Sequence, residues 1–379
     1  MKSTSPFRNK LLFLAFLTPL TWTPAPAQTQ PIDLSVFEID QSVKSLMDST
    51  HVPGLSLAII RNSKLYYSQG YGLTKADSSQ RVTSATIFDA ASLSKPVFAY
   101  AVLQLVEEQK LDLDKPLNEY LPYPDVASDE RYKKITARMV LSHRSGFPNW
   151  RKNRRSSNLA MSFTPNERFG YSGEGFVYLQ KVVEKITGKP LNDLMNDRVF
   201  KPLQMTRSSY IWNPAFDDNF AYAHTKEGKP EPHYKSDQAN TAYSLQTTAD
   251  DYAKFLMAIL TARGLKQATV DQMLTGQGKL PTKFGATDSL SPTLSWGLGL
   301  GLEHTSTGDY FWHWGDNDTY KCYVVGSPKS HNALVFFTNS ANGLRLIGEM
   351  TRQFMDFDPS TVEFLGYETY KKGQGLTKP

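Results

Sequence analysis

The sequence predicts an α+β fold in which an antiparallel sheet, built from both ends of the chain and flanked by helices, is interrupted by an inserted, mainly helical region. Strand-like runs cluster at about residues 35–90 and 290–365, and helical periodicity dominates residues 91–289. With 40% apolar residues, the chain can bury a large core. We expect one domain over residues 28–365, followed by a polar tail at 366–379, of which we predict residues 370–379 to be disordered.

Residues 1–27 have the organisation of a signal peptide. Lys2, Arg8 and Lys10 precede an apolar stretch, 11–22, that is too short to span a bilayer, and small residues at 25–27 provide a cleavage site. An uncleaved anchor is the alternative. A lipoprotein anchor is disfavoured because no cysteine follows the cleavage site. We therefore expect a secreted or periplasmic protein, cleaved near Ala27, without a membrane anchor.

The charge and cysteine content exclude some classes of partner and of stabilisation. The formal charge is +5, and removing the three basic residues of the leader leaves +2, which indicates no nucleic-acid or anionic-membrane partner. Cys322 is the single cysteine, so no internal disulfide can form. A basic run is either a solvated loop or a rim that attracts acidic substrates; it comprises Arg144, Arg151, Lys152, Arg154 and Arg155.

The individual elements follow from local patterns. Two β-prone runs around a polar tetrapeptide predict a hairpin at 54–60 and 65–70. Apolar residues at helical spacing predict helices after Ser92, at 176–186, at 250–263 and at 344–355. Apolar, β-branched and aromatic runs predict strands at 296–302, 320–325 and 333–338.

A possible nucleophile lies at the start of the helix after residue 91. In Ser92-Leu-Ser-Lys95 the serine and lysine are three positions apart, so they share one face of a helix. A lysine can activate a hydroxyl as its base if burial or nearby cations lower the lysine pKa. By itself the tetrapeptide is a weak signal, because it also occurs by chance at helix starts.

Three further segments accompany it. The segment 135–148 contains Leu-Ser-His143-Arg-Ser-Gly, and Phe169-Gly-Tyr171-Ser-Gly173 follows it. His313-Trp-Gly315 lies on a predicted strand near the C-terminus. In this order, from about residue 52 to 339, the motifs resemble those of the serine β-lactamase and D-alanyl-D-alanine carboxypeptidase superfamily, and the chain is most similar to class C β-lactamases and to the esterases and aminopeptidases related to them.

The resemblance implies a role for each matching residue. Ser92 would be the nucleophile, Lys95 its proton partner, and Tyr171 a second base or the acid that protonates the leaving group, with Lys95 favouring its phenolate. His313 would bind a substrate carboxylate or support Tyr171. The backbone N–H groups of Ser92 and Asp316 would form the oxyanion hole beside Gly315. The alternatives are a packed turn tyrosine for Tyr171 and a packed histidine for His313.

The sequence departs from the class C pattern at two positions. Gly173 stands where those enzymes have an asparagine, and His313 where they have a lysine. The resemblance makes His313, Gly315, Asp316 and Gly173 the candidate substrate-binding residues. Because Gly173 has no side-chain amide, the site would favour esters over amides, unless Glu174 or Asn149 replaces the missing group.

The sequence thus predicts a serine hydrolase that cleaves an ester or amide of a small molecule or short peptide. The alternatives are a β-lactamase or D-peptidase proper, or a penicillin-binding sensor that acylates slowly. Asp316-Asn-Asp318 lacks the rest of a calcium loop, and the histidines lack metal-ligand spacing, so we expect no metal and no cofactor. No obligatory protein partner is indicated.

Overall fold

The computed structural model describes residues 1–3, 34–153 and 158–377, and from Leu34 onward the chain forms one compact unit. The predicted signal peptide therefore lies almost entirely outside the described residues, and its cleavage stays a prediction.

The helices of the described residues are concentrated between the two groups of strands. They are α1 (Val36–Thr50), α2 (Ser94–Glu107), α3 (Ala137–Leu141), α4 (Gly173–Thr187), α5 (Leu191–Met195), α6 (Lys201–Leu203), α7 (Ala249–Leu260), α8 (Gln267–Met273), α9 (Ile347–Met355) and α10 (Thr361–Leu365). The predicted helices after Ser92, at 176–186 and at 250–263 correspond to α2, α4 and α7, and the predicted final helix is a 3₁₀ turn followed by α9.

Strands occur mainly at the two ends of the compact unit. They are β1 (Gly54–Arg61), β2 (Lys64–Gly72), β3 (Phe88–Asp89), β4 (Gln246–Thr247), β5 (Gly278–Pro281), β6 (Leu290–Trp296), β7 (Gly301–His304), β8 (Asp309–Asn317), β9 (Tyr320–Ser327), β10 (Asn332–Thr338), β11 (Thr369–Lys371) and β12 (Gly375–Thr377).

Eight strands form one sheet in the order β2-β1-β10-β9-β8-β7-β6-β5. The N-terminal β1 pairs antiparallel with the C-terminal β10, so that Leu55 faces Thr338 and Ile60 faces Ala333. This pairing confirms the predicted α+β fold with a sheet built from both ends. The predicted hairpin is β1–β2, and its two-residue turn has positive φ at Asn62 and Ser63, as type I′ hairpin turns require.

The sheet separates two cores. Leu55, Leu57 and Ile59 of β1 pack into the core that contains α1 and α9, whereas Ala58 and Ile60 pack into the core that contains α2 and α7. Because successive side chains of a strand point to opposite faces, β1 is buried on both sides, which explains its nearly continuous apolar sequence.

Three local predictions are wrong. The strand predicted at 296–302 is interrupted by a turn at 297–300 between β6 and β7, because Gly299 has φ of +92° there and the Leu298 N–H donates to the Met273 carbonyl. The strand β5 lies inside the region predicted to be helical. Conversely, α1 occupies residues predicted to belong to the sheet region.

The predicted disorder of the tail is also wrong up to residue 377. The strands β11 and β12 form a hairpin whose first residue, Thr369, is buried. The Lys372 N–H donates to the Glu349 carboxylate on α9 at 2.9 Å. These tertiary contacts order a segment whose polar composition by itself predicts disorder.

Candidate active site

Ser92 lies in a tight turn between β3 and α2. The 3₁₀ turn Ala91–Leu93 directly precedes α2, and Ala91 has φ of +46°, in the left-handed region that non-glycine residues rarely adopt. The turn is held by the Asp89 carboxylate, which accepts from the Ala91 N–H at 2.7 Å, and by Ser94 Oγ, which donates to the Ala91 carbonyl at 2.6 Å. Such a conformation costs about 1–3 kcal/mol, and strained residues of this kind cluster at active sites.

Lys95 lies one helical turn beyond Ser92, as the spacing predicts. Its Nζ is 3.0 Å from Ser92 Oγ and donates to the Ala242 carbonyl at 2.8 Å. The side chain is 1% exposed and takes part in no ion pair among the described residues. Burial therefore lowers the Lys95 pKa well below its usual value. A neutral Lys95 has a lone pair that can accept the Ser92 proton.

Tyr171 lies beside this pair, in the loop that precedes α4. Lys95 Nζ is 4.8 Å from the centre of the Tyr171 ring. Burial raises the Tyr171 pKa above its usual value, and the interaction with Ser92 opposes this shift only in part. The expectation that Lys95 favours the Tyr171 phenolate is therefore not supported, because burial shifts both pKa values toward the neutral forms. A neutral phenol can donate a proton.

His313 is fully buried on β8. Its Nδ1 is 2.7 Å from the Trp314 carbonyl, so Nδ1 carries the proton and Nε2 is an acceptor without a partner among the described residues. Burial, followed by the nearby Lys95, lowers the His313 pKa to about 3. A neutral, buried imidazole is a poor partner for a carboxylate, and the His313 ring centre lies 5.3 Å from those of Trp296 and Trp314, so its surroundings favour the alternative of a packed histidine.

His143 is a site residue that sequence reasoning missed. It is fully buried, its ring centre is 4.1 Å from that of Tyr171, and its Nδ1 accepts from the Ser172 N–H at 3.1 Å. Burial, then the proximity of Lys95 and His313, lowers its pKa well below the usual value. The sequence signal was its presence in the segment 135–148, where a histidine between a serine and an arginine suggests no specific role.

The third motif lies on the part of β8 that extends beyond β7. The strand β7 pairs only with residues 309–312, and residues 313–317 pair on one side only, with β9. A Cβ at Gly315 would lie 2.7 Å from the Ala90 carbonyl oxygen, so only glycine lets β8 approach the Ser92 turn this closely. The Asp316 carboxylate forms an ion pair with Lys321 and accepts from Tyr367. The oxyanion hole at Ser92 and Asp316 stays a prediction.

Two cavities flank the catalytic candidates. We call the first the Ser92 cavity; its volume is about 400 Å³, and Ser92, Asp316 and Trp150 line it. We call the second the Tyr171 cavity; its volume is about 240 Å³, and its lining is mainly apolar with Tyr171 in its wall. Asn149 lines both cavities. His313, Gly315 and Gly173 line neither, so Asp316 is the predicted substrate-binding residue that reaches a cavity.

The described residues also bear on the predicted metal, membrane and charge features. Among the described residues, no group of three or more His, Cys, Asp or Glu side chains is arranged to hold a metal ion. No helix in residues 34–153 or 158–377 is long and apolar enough to cross a membrane. In the basic run, Arg151 is paired with Asp125 at 2.7 Å and Glu174 at 2.8 Å, whereas Arg154 and Arg155 lie outside the described residues.

Comparison with known proteins identifies the family. A family model described as Beta-lactamase matches residues 39–352. The chain belongs to the beta-lactamase family. Membership of this family, together with the fold, supports a serine hydrolase in general terms.

The relatives of this beta-lactamase-family chain are distant. Protein flp of Staphylococcus aureus (strain MRSA252) is 21% identical over 322 residues, which cover 80% of this chain and 62% of that protein. The chain thus spans less than two thirds of the length of such curated relatives. The octameric penicillin-binding protein homologue of Pyrococcus abyssi superposes with a TM-score of 0.69 at 23% identity, covering 82% of this chain and 74% of that one. D-alanine carboxypeptidase AmpC of Burkholderia cenocepacia gives 0.68 at 18% identity, covering 81% and 95%.

The structure shows what occupies the space beside Gly173 in this beta-lactamase-family chain. A Cβ on Gly173 would lie 2.5 Å from the Trp150 ring, so the indole takes the place of a side chain. Asn149 lies against the same residue, since its Oδ1 accepts from the Gly173 N–H at 3.0 Å. That contact leaves the Asn149 NH₂ group directed elsewhere. Glu174, the other proposed replacement, is paired with Arg151.

Proposed function

We propose that the protein is a serine hydrolase that cleaves an ester or amide through an acyl-enzyme on Ser92, with Lys95 as the base and Tyr171 as the acid. The observation that carries the proposal is the buried Lys95, without an acidic partner among the described residues, 3.0 Å from Ser92 Oγ. Burial lowers the pKa of a lysine in this environment, which favours the neutral form that can accept a proton.

Acylation uses these groups in sequence. Ser92 transfers its proton to Lys95 Nζ while Oγ forms a bond to the substrate carbonyl carbon, and backbone N–H groups stabilise the resulting oxyanion. The bond to the leaving group then breaks as Tyr171 donates its proton to that group. The Lys95 ammonium returns a proton to Tyr171, so the net transfer is from Ser92 to the leaving group.

Deacylation reverses the roles with water in place of the leaving group. The water oxygen forms a bond to the acyl carbon while its proton passes through Tyr171 to the neutral Lys95. The acyl–Oγ bond then breaks as the Lys95 ammonium returns that proton to Ser92 Oγ. A chain that performs the first half but not the second would be a penicillin-binding sensor. The lifetime of the Ser92 adduct separates the two: seconds for a hydrolase, hours for a sensor.

Amides stay candidates beside esters because of Asn149. It lies against Gly173 and lines both cavities, so its NH₂ group is available near the position where class C enzymes have an asparagine. A relative of this fold is named a D-alanine carboxypeptidase, which makes D-amino-acid amides the substrates to compare with activated esters and β-lactams.

Covalent labelling tests the proposal. A fluorophosphonate probe should add one adduct, measured by intact mass, and peptide mapping should place it on Ser92. Ser92→Ala should abolish both labelling and ester turnover. Ser45→Ala, at an exposed position on α1, is the matched control and should change neither. Labelling that persists in Ser92→Ala would exclude Ser92 as the nucleophile.

A further inference from the structure

The backbone of β8 directs the Asp316 N–H away from the sheet. In an antiparallel pair, the N–H and C=O groups of successive residues point alternately toward the partner strand and away from it. The Trp314 carbonyl accepts from His313 Nδ1 at 2.7 Å, on the side away from β9. Asp316, two residues further along, points the same way, at a position that β7 does not reach. Its N–H therefore points out from the free edge of β8, and Asp316 lines the same cavity as Ser92.

The Ser92 turn supplies a second backbone donor. Within this turn the Ala91 N–H donates to Asp89 Oδ1 at 2.7 Å. The Ser92 N–H that follows it has no acceptor among the described residues. The N–H groups of Ser92 and Asp316 are thus two donors that can stabilise an oxyanion formed on the carbonyl that Ser92 attacks.

A pair of side chains, which we call the Asp89–Asn317 bridge, connects the two segments that carry these donors. Asn317 follows Asp316 in the chain, and its Nδ2 donates to the two Asp89 carboxylate oxygens at 3.0 and 3.1 Å. The same carboxylate accepts from the N–H of Ala91, the residue before Ser92. One carboxylate therefore links a neighbour of the first donor to a neighbour of the second.

The segment 89–92 has a conformation that its own backbone does not favour. Ala91 has φ of +46°, and such a conformation costs about 1–3 kcal/mol and persists only where surrounding groups stabilise it. Gly315 packs β8 against this segment but has no side chain to bond with it. Asn317 is the β8 residue whose side chain forms hydrogen bonds to it. Without these bonds the Ser92 N–H can shift relative to β8, and a shift of about 1 Å at a catalytic group costs up to about 10²-fold in rate.

We propose that Asp89 and Asn317 are positioning residues for the oxyanion hole, because their hydrogen bonds fix the spacing of its two N–H donors. This role rests on the proposed hydrolase function. Both residues act through the backbone, so neither needs to contact the substrate. Because the oxyanion forms only during the reaction, loss of the bridge should slow acylation and leave substrate binding unchanged.

An exchange of the two side chains tests the bridge. Asn317→Asp places two carboxylates against each other, and at about pH 8 both are ionised because the Asp89 pKa, raised by burial, is only about 6. Asp89→Asn/Asn317→Asp restores an amide–carboxylate pair with donor and acceptor exchanged, and the amide oxygen can still accept from the Ala91 N–H. Stopped-flow acylation by p-nitrophenyl butyrate measures the acylation rate constant and the substrate dissociation constant separately.

The expected result is a change in rate without a change in binding. The acylation rate constant should fall about tenfold or more in Asn317→Asp and return to within about threefold of the wild type in the double variant, because displacing a donor costs less than the 10²- to 10³-fold of removing one. The dissociation constant should change by less than about twofold in both. Rates are normalised to the Ser92 that fluorophosphonate titrates at completion, so that inactive protein is not counted.

Asn213→Asp is the matched control. Asn213 is exposed and caps a 3₁₀ turn by accepting from the Ala215 N–H at 3.0 Å, and an aspartate caps such a turn equally well. This variant introduces the same charge and should keep the wild-type rate and dissociation constant.

The outcomes distinguish the bridge from the function on which it rests. If fluorophosphonate labels Ser92, then a wild-type rate in Asn317→Asp, a double variant no faster than Asn317→Asp, or a loss confined to substrate binding overturns the bridge and leaves the hydrolase standing. If Ser92 is not labelled in the wild type, both are overturned. If Asn317→Asp does not fold, Asn317→Ala decides with phenylboronic acid, whose tetrahedral adduct on Ser92 places an oxygen where the oxyanion forms. A loss of affinity below about threefold there overturns the bridge.

Discussion

Replacing Lys95 by methionine should slow acylation and also change how stability depends on pH. Methionine keeps most of the volume of the side chain but has no proton acceptor. Loss of a positioned base costs about 10²- to 10⁴-fold in rate, so kcat/KM for an activated ester should fall within that range. The same substitution removes a group that burial holds neutral, which affects the free energy of unfolding.

The sign of the stability effect follows from the direction of the pKa shift. In the unfolded chain Lys95 is protonated below about pH 10.4, whereas in the folded protein it stays neutral until the pH falls to its lowered pKa. Between these two values the unfolded state binds one proton more, so wild-type stability rises by about 1.4 kcal/mol per pH unit from this group. Lys95→Met lacks this contribution. Loss of the bond to the Ala242 carbonyl costs about 1 kcal/mol at every pH.

Urea unfolding of both proteins from about pH 7 to about pH 9.5 measures the difference. The stability of the wild type relative to Lys95→Met should increase steadily across this range. Lys64→Met, at an exposed position on β2, is the matched control and should follow the wild type in both stability and rate. Parallel pH profiles for the wild type and Lys95→Met, or a loss of rate below tenfold, would refute a neutral Lys95 as the base.

Three further predictions concern the same site. Tyr171→Phe should reduce kcat/KM by about 10²-fold or more for an amide or alkyl ester. The loss should be much smaller for a p-nitrophenyl ester, because its leaving group needs no acid, and equal losses would exclude Tyr171 as the acid. Wild-type kcat/KM should rise with pH through the lowered pKa of Lys95 and stay high to above pH 10, because burial raises the Tyr171 pKa. Stopped-flow acylation measures this profile, and a decrease in kcat/KM that begins before pH 10 would contradict it. Gly173→Asn should reduce activity and lower Tm, because the new side chain would collide with the Trp150 ring. Gly188→Asn, in open space at the end of α4, is the control and should be tolerated. A gain in amide hydrolysis by Gly173→Asn would show instead that Trp150 moves aside.

Much of the fold was predictable because it depends on local pattern. The apolar run of β1 and the two-residue turn before β2 are properties of neighbouring residues, and so are the starts of α2 and α4. Pairing of β1 with β10 followed from the position of strand patterns at both ends of the chain. The strand predicted at 296–302 failed because the conformation of Gly299 and a bond to Met273 override the local alternation.

By itself, the sequence determined the family, the α+β order of elements and the one-turn spacing that brings Lys95 to Ser92, since each depends on residue type and separation along the chain. Only the tertiary structure decided the protonation states. Burial by distant segments lowers the pKa of Lys95 and His313 and raises that of Tyr171, and the proposed acid and base roles rest on these shifts. Desolvation and unpaired acceptors are properties of an assembled interior, so no stretch of sequence contains them.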